Sequence, residues 1–128
     1  MTYKMVCIDM DGTLLGKRKR VSKESKEVIK KIHDKGVEIV VTTGRIYNNA
    51  AYYSHLLGVK SPVIAANGAV VRDKHNNRVI YENTIDTDVC VELIELLYKM
   101  DFFFHFYTLE SIYCGDKITK LGTEIYMT

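Results

Sequence analysis

The sequence is poor in several features that mark particular protein classes. It has no tryptophan, one proline and three cysteines among 128 residues. An odd number of widely spaced cysteines suits neither a disulfide framework nor a zinc site, so we expect reduced, packed thiols. No stretch approaches the roughly 20 apolar residues that a membrane helix needs. The N-terminus meets Lys4 and Asp9 before a signal-peptide core could form. These absences predict a cytoplasmic protein with no membrane partner.

A strong net charge is also absent. The 18 Lys and Arg residues against 16 Asp and Glu residues give a formal net charge of +2 at pH 7. This balance gives no electrostatic reason to expect nucleic acid as a partner. The basic run at residues 17–20 is best interpreted as a solvated loop, with steering of an anionic substrate as the alternative. The chain does have 47% hydrophobic residues in a length typical of one domain, enough for a compact core.

The first half of the chain alternates apolar runs with helical patterns. Strands are predicted in "YKMVCID" (residues 3–9), "VEIVVTTG" (37–44) and "SPVIAANG" (61–68), with helices in 22–36 and 45–57. Continuous apolar runs of this length are typical of strands buried on both faces. The alternation with short connections indicates right-handed βαβ units. The predicted fold class is therefore α/β, with a partial Rossmann-like parallel sheet of three βα units.

The first predicted helix shows its ends in the sequence. Ser22 can cap its N-terminus and Gly36 can end it. Val28, Ile29 and Ile32 form its predicted apolar stripe.

The pattern changes after Gly68. Two β-rich runs flank a polar tip at residues 73–77, which predicts a hairpin. An amphipathic helix then follows in "DTDVCVELIELLYKM", and "FFFHFYTL" and "SIYCG" predict two more strands. The residues predicted to face inward from this helix are Val89, Cys90, Leu93, Leu96, Leu97 and Met100. We place the only domain boundary near residues 82–87.

All three predicted parallel strands end in polar residues. These are Asp9 with Asp11 at the first, Thr42 and Thr43 before Gly44 at the second, and Asn67 before Gly68 at the third. Ligands of open α/β sheets bind beyond the carboxyl ends of the strands, so these residues are predicted to converge on one site.

The two acids suggest phosphoryl chemistry. Neighbouring carboxylates repel, and a divalent cation, most often Mg²⁺ where phosphate is bound, makes such an arrangement favourable. A carboxylate can also attack phosphorus. An EF-hand fails because Cys7 and Arg18 would occupy its first and last ligand positions. A simple turn using Asp11 and Gly12 leaves Asp9 unexplained.

Three segments resemble a known family. "DMDGTLL" at 9–15 is similar to the first motif of the haloacid dehalogenase (HAD) superfamily of phosphohydrolases. "VVTTGR" at 40–45 resembles the second motif of its Cof-like branch, and "AANGA" at 65–69 resembles the exit toward an inserted α/β cap. The resemblance implies that residues 1–84 are the N-terminal part of a HAD-like core. Residues 85–128 would be the start of an incomplete α/β cap domain.

The resemblance also implies roles. Asp9 would be the nucleophile, Asp11 the general acid and base, and Mg²⁺ would bind the Asp9 side chain and the Asp11 carbonyl. Phosphate oxygens would be held by the Thr43 hydroxyl, by the N–H of Gly44 at a helix start, and by backbone amides from Met10 to Gly12. The implied substrates are small phosphorylated metabolites.

Two further residues are carried over with less support. Arg45 could reach substrate or cap, or be a solvated side chain in a first helical turn; both interpretations stay open. For Asn67, fixing the loop at the strand end is preferred over contact with substrate.

The sequence does not show the family's third and fourth motifs, which supply a lysine and further acids. The resemblance therefore predicts a truncated phosphatase that is weak or inactive in this form. The alternative is a non-catalytic fragment that binds Mg²⁺ or phosphate, or one that forms a homodimer through exposed sheet edges.

Overall fold

The structure of the chain is a computed structural model that describes residues 3–108 and 111–114. These residues form seven strands, three α-helices and a single turn of 3₁₀ helix (Ala66–Gly68). The strands are β1 (Met5–Asp9), β2 (Glu38–Thr42), β3 (Val63–Ala65), β4 (Val70–Arg72), β5 (Val79–Glu82), β6 (His105–Tyr107) and β7 (Ile112–Cys114). The helices are α1 (Lys23–His33), α2 (Tyr47–Leu56) and α3 (Thr87–Lys99). None of these helices is long and apolar enough to cross a bilayer.

The chain divides into two compact units, Met1–Asn83 and Thr84–Thr128. The first unit contains β1 to β5, α1 and α2. The second contains α3 and the antiparallel pair β6–β7. The predicted cap region extends past Cys114 into residues that lie outside the described part of the chain.

A five-stranded mixed sheet organises the first unit, in the order β1-β2-β3-β4-β5. The first three strands are parallel, with Asp9 opposite Thr42 and Thr42 opposite Ile64. The last two add antiparallel neighbours, and Arg72 of β4 lies opposite Val63 at the start of β3. The predicted α/β class with a parallel sheet is thus confirmed, as is the hairpin that follows it.

The core lies on the central strands of this sheet. Ile39, Val41 and Val63 are fully buried, and β2 is buried on both faces as predicted. β1 differs, because Met5, Cys7 and Asp9 are exposed on one face while Val6 and Ile8, which alternate with them, pack against the core. The prediction that β1 is buried on both faces is therefore wrong. β1 is the outermost strand of the described sheet, where only one face is covered.

Cysteine burial also departs from expectation. All three cysteines are free thiols, but Cys7 and Cys114 are exposed and Cys90 is half-buried. The thiols are unpaired as predicted, but only Cys90 is even partly packed. Cys7 is exposed because it lies on the uncovered face of β1.

Helix α1 begins where the sequence predicts. The Ser22 hydroxyl oxygen accepts a hydrogen bond from the Ser25 N–H at 3.0 Å, which satisfies one free donor of the first turn. Ile29 is buried and Ile32 packs against the core, but Val28 is 53% exposed. Val28 was wrongly included in the apolar stripe. Successive residues point about 100° apart around a helix, and this helix turns Ile29 inward.

The predicted inward face of α3 is also largely wrong. Cys90 and Leu97 are half-buried, whereas the other four predicted residues are exposed: Val89, Leu93, Leu96 and Met100. No described residue beyond Val70 is buried. In the described part of the second unit the helix has no assembled core to face, so its apolar stripe is left open.

Candidate active site

The loop after β1 is fixed by its own apolar residues. Met10, Leu14 and Leu15 are buried in the core. The Leu14 N–H donates to the Asp9 carbonyl at 3.1 Å and the Leu15 N–H donates to the Met10 carbonyl at 2.8 Å. Gly12 has φ +80°, a left-handed conformation that glycine adopts without strain. This tight loop leaves the Asp9 and Asp11 side chains exposed at the end of β1.

The segment after β2 is tied to β3. Thr43 is only 5% exposed, and its N–H donates to the Ile64 carbonyl at 3.0 Å. Its hydroxyl oxygen accepts the Arg45 N–H at 3.2 Å. The Thr43 hydroxyl therefore already has one local partner, and its proton stays available to another acceptor.

The segment after β3 approaches Gly44 closely. The Asn67 N–H donates to the Thr43 carbonyl at 3.1 Å and the Ala66 N–H donates to the Arg45 carbonyl at 2.9 Å. The Asn67 side-chain oxygen lies 2.8 Å from the point where a Cβ on residue 44 would stand. A glycine at 44 is therefore what lets the two segments meet, and the ends of β2 and β3 share one backbone network.

Asp11 is held by a two-pronged ion pair with Arg45. The Arg45 Nε donates to Oδ2 at 2.7 Å and Nη2 donates to Oδ1 at 2.6 Å. Lys19 Nζ lies 3.5 Å from the same Oδ1. The Arg45 hydrogen bond is the main cause that holds the pKa of Asp11 below its ordinary value, with slight burial opposing it and the charges of Arg45 and Lys19 adding to it. The same hydrogen bond raises the pKa of Arg45.

Arg45 is itself oriented by helix α2. Its Nη1 donates to the Asn49 side-chain oxygen at 2.7 Å, and its guanidinium carbon lies 5.4 Å from the centre of the Tyr53 ring. The Tyr53 hydroxyl donates to the Lys19 carbonyl at 3.1 Å. Asn49 and Tyr53 thus hold the Arg45 guanidinium, and Tyr53 also fixes the main chain at Lys19.

The sequence interpretation missed these supporting residues. Their signal was the four-residue spacing of Asn49 and Tyr53, which places these two side chains on one face of helix α2. The sequence interpretation also placed the start of helix α2 too early. α2 begins at Tyr47 with Ile46 as its N-cap, so Gly44 and Arg45 precede it rather than lying at its first turn. Arg45 is neither a solvated helical side chain nor, in this structure, a free one.

Asp9 is much less constrained than Asp11. Its Oδ2 accepts a hydrogen bond from the Thr13 hydroxyl at 3.3 Å, and its side chain is otherwise exposed. The carboxylate repulsion argued from the sequence is thus relieved on one side by Arg45 and Lys19. Within the described ranges no group of three or more His, Cys, Asp or Glu residues could hold a metal ion. The site therefore offers one free carboxylate, one paired carboxylate and two cations, an arrangement that suits a ligand with an anionic group.

Comparison with known proteins gives a consistent result. A family model described as haloacid dehalogenase-like hydrolase matches residues 6–127. The chain is 34% identical over 110 residues to phosphatase YwpJ of Bacillus subtilis (strain 168), covering 86% of this chain and 38% of that protein. It is 32% identical over 123 residues to 5-amino-6-(5-phospho-D-ribitylamino)uracil phosphatase YwtE of the same organism, covering 95% of this chain and 42% of that protein.

A solved structure agrees with these relatives. A haloacid dehalogenase-like hydrolase from B. subtilis matches with a TM-score of 0.77 at 32% identity, covering 90% of this chain and 41% of that one. The chain thus spans about two fifths of the length of these relatives.

Proposed function

Because this chain belongs to the haloacid dehalogenase-like hydrolase family, we propose that it carries the nucleophile half of a phosphatase site for small phosphorylated metabolites. The observation that carries the proposal is the meeting of three strand ends, which brings the Asp9 loop, Thr43 and Asn67 to one edge of the sheet. The named phosphatase activities of the relatives support the same reaction class.

The reaction proposed for the site has two steps. An oxygen of Asp9 attacks the phosphorus, the ester P–O bond breaks, and the departing alkoxide takes a proton from Asp11. Asp11, now ionised, then takes a proton from a water that attacks the aspartyl-phosphate. Phosphate leaves and the Asp9 carboxylate is restored. Asp9 suits the first role because its carboxylate is exposed and, among the described residues, accepts a side-chain hydrogen bond only from Thr13.

The Asp11 ion pair bears on the first of these steps. An acid that gives up a proton must first hold one, and the Arg45 pair favours the ionised carboxylate. The proposal therefore requires Arg45 to leave Asp11 when an anionic substrate arrives. A phosphate competes well for a guanidinium, because both partners are charged and can make two parallel hydrogen bonds.

The loop after β1 offers oxygen ligands that suit a magnesium ion. The Asp9 carboxylate and the Asp11 main-chain carbonyl are hard oxygen donors of the kind that Mg²⁺ prefers. They would be part of its shell. When bound, the ion would neutralise charge on the phosphate and help to orient it.

Phosphatase activity can be tested on the purified chain with Mg²⁺ and p-nitrophenyl phosphate. We expect slow turnover that is lost in Asp9→Asn and on chelation with EDTA, and kept in Asp34→Asn. Asp34 is an exposed acid at the end of α1 and serves as the matched control. If only a longer form turns over, the same pair of variants is compared in that form. Turnover that survives Asp9→Asn contradicts the proposal.

A second candidate function rests on the open edge of β1. An unpaired outer strand with exposed Met5 and Cys7 is a template for pairing with a second copy. The fragment would then act as a dimerising module that binds Mg²⁺ or phosphate without catalysis.

Light scattering and thiol alkylation test this alternative together. A dimer formed through β1 is expected to protect Cys7 from iodoacetamide as the protein concentration rises, while Cys114, exposed in the second unit, stays reactive. A monomer at every concentration, with Cys7 and Cys114 equally reactive, contradicts it.

A further inference from the structure

The first unit contains a cavity between helix α2 and the β4–β5 connection. It has a volume of about 310 Å³, at the small end of the range for ligand pockets. Its lining residues are Tyr47, Ala51 and His55 from α2 and Lys74, His75 and Asn77 from the connection.

This cavity is at the opposite end of the sheet from Asp9. Strand β4 runs antiparallel to β3, and Arg72 at its end pairs with Val63 at the beginning of β3. The β4–β5 connection therefore lies beside the start of β3, whereas Asn67 follows the end of that strand. The cavity shares no lining residue with the candidate active site; Tyr47, at the start of α2, is the lining residue nearest to Arg45 in the chain.

Lys74 is the unusual residue of this cavity. Its Nζ donates to the Ser54 hydroxyl oxygen at 2.7 Å and also to the Val59 carbonyl. Ser54 is fully buried, so the hydrogen bond to it places the ammonium partly beneath the protein surface. Desolvation lowers the pKa of Lys74, and the charge of Asp73 opposes that shift.

No carboxylate in the described residues pairs with this ammonium. Both ion pairs found in those ranges belong to Asp11. The Asp73 carboxylate accepts the His75 N–H at 2.8 Å within its own turn. The Asp73 charge reaches Lys74 without a direct ion pair, so the partly desolvated ammonium still costs free energy, part of which a bound anion would recover.

The other polar groups around the cavity also favour an anion. Among the described residues the lining has two imidazoles, a phenol and an amide besides the ammonium, and no carboxylate. The nearby Asp73 charge acts on Lys74 and Tyr47 from outside the lining. A second cation lies at the same place, because the Arg72 guanidinium is 5.0 Å from the centre of the Tyr47 ring and its Nε donates to the Asn77 carbonyl at 3.0 Å.

We propose that this cavity binds a small oxyanion, namely a phosphate group, on Lys74 with His55 and His75 as further donors. An ammonium has three N–H donors, of which two are used by Ser54 and Val59, so one remains for the ligand. The group can come from inorganic phosphate or from a phosphorylated metabolite. This inference stands independently of the proposed catalytic function.

The test is a titration of the ¹⁵N-labelled chain with sodium phosphate, without Mg²⁺, followed by NMR. A sodium chloride titration of matched ionic strength serves as the reference. We expect saturable shifts at residues 51–55 and 74–77 that chloride does not cause. Lys74→Met is expected to weaken the apparent affinity at least tenfold, while Lys26→Met, which removes an exposed lysine of α1, leaves it unchanged.

Further variants separate the outcomes. Lys74→Arg keeps the charge and is expected to retain binding, and a His55→Ala, His75→Ala double variant weakens binding while leaving the Lys74 anchor in place. Asp9→Asn is expected to leave these shifts intact. Phosphate binding at the candidate active site would shift the NMR signals of residues 9–13 and 43–45. Its presence or absence is therefore measured separately from binding in the cavity.

Glycerol phosphate titrated in the same way identifies the source of the group, since tighter binding than inorganic phosphate points to a metabolite. Shifts matched by chloride, or unaffected by both Lys74→Met and the double histidine variant, overturn the proposal.

Discussion

Two acids only two residues apart have different environments here. The carboxylate of Asp11 is bound by Arg45 and approached by Lys19, while that of Asp9 accepts a hydrogen bond from Thr13 and has no cation beside it in the described part of the chain. The difference arises because Asp9 is the last residue of β1, whereas Asp11 lies in the tight loop that follows and is outside the alternation of the strand. Environment, rather than residue type, is what can divide the work between two like groups.

The Asp11 environment predicts a measurable pKa change. Arg45→Ala removes the hydrogen bond that does most to lower this pKa, so the pKa of Asp11 should rise toward its ordinary value of 3.8. ¹³C NMR of the carboxyl carbons across acidic pH measures it. Arg20→Ala is the control, because it removes an exposed arginine from the basic run at residues 17–20 and should leave the pKa of Asp11 unchanged.

The sign of the accompanying stability effect follows from the same shift. A folded pKa below the unfolded one stabilises the fold above about pH 4, and this contribution is lost as pH falls through the folded value. Asp11 is 45% exposed, so screening by solvent keeps the contribution small. An Asp11 pKa that is equal in Arg45→Ala and the parent chain contradicts the ion pair.

The close approach at Gly44 predicts a coupling with Asn67. In Gly44→Ala the new methyl would stand 2.8 Å from the Asn67 side-chain oxygen, and that side chain would have to leave its rotamer at a cost of about 0.5–1.5 kcal/mol. Chemical denaturation measures the loss of unfolding free energy.

A double-mutant cycle supplies the control for this prediction. In an Asn67→Gly background the same substitution should cost less, because the obstructing side chain is gone and glycine accepts the φ of +55° that Asn67 adopts. Equal costs in the two backgrounds would show that the contact carries no energy.

At the scale of secondary structure, local signals were sufficient where the cause is local. The Ser22 cap, the turn at residues 73–77 and the burial of the centre of β2 on both faces all appear as the sequence predicts. Burial of β1 and of α3 was mispredicted, because burial depends on what packs beside an element and an apolar stripe does not report that. The start of α2 was misplaced because its N-cap, Ile46, has no capping side chain to mark it.

In the candidate site too, local sequence predicts which residues take part, whereas their contacts depend on the tertiary fold. Asp9, Asp11, Thr43 and Asn67 could be selected because each follows a predicted strand, and the strand order brings them to one edge. The Arg45–Asp11 pair joins residues 34 positions apart, so no local pattern could give its geometry. Only the folded arrangement shows that the two motifs contact each other.

The α1 cap offers a test at this scale. Ser22→Ala removes the acceptor of the Ser25 N–H and should lower the free energy of unfolding by about 1 kcal/mol. Ser22→Thr keeps a hydroxyl at the cap and should restore most of that loss. Denaturant unfolding of the three proteins measures the difference, and an alanine variant as stable as the parent would mean that the cap contributes nothing.

At the scale of the whole chain, the buried residues are concentrated in the first unit. Every member of the core cluster lies between Met10 and Ala65, and no described residue of the second unit is buried. Burial of apolar surface is the main stabilising contribution in folding. The first unit should therefore supply most of the stability of the chain.

A chain of residues 1–83 is accordingly expected to fold on its own. It should unfold cooperatively with a midpoint within about 5 °C of the full chain. The methyl NMR signals of Ile39, Val41 and Val63 should keep their positions. The non-cooperative melting of a disordered chain, with collapsed methyl dispersion, would contradict this expectation and show that the second unit is needed.

The parallel pairing of β1 with β2 also sets which changes of length the protein tolerates. Asp9 lies opposite Thr42, and a strand turns each successive side chain to the other face. Deleting one residue within β1 would carry Asp9 away from its face or break the ladder. A residue added between Gly16 and Arg20 would be absorbed by an exposed turn. Insertions and deletions among homologous chains should therefore collect in that turn and be absent from the five residues before Met10.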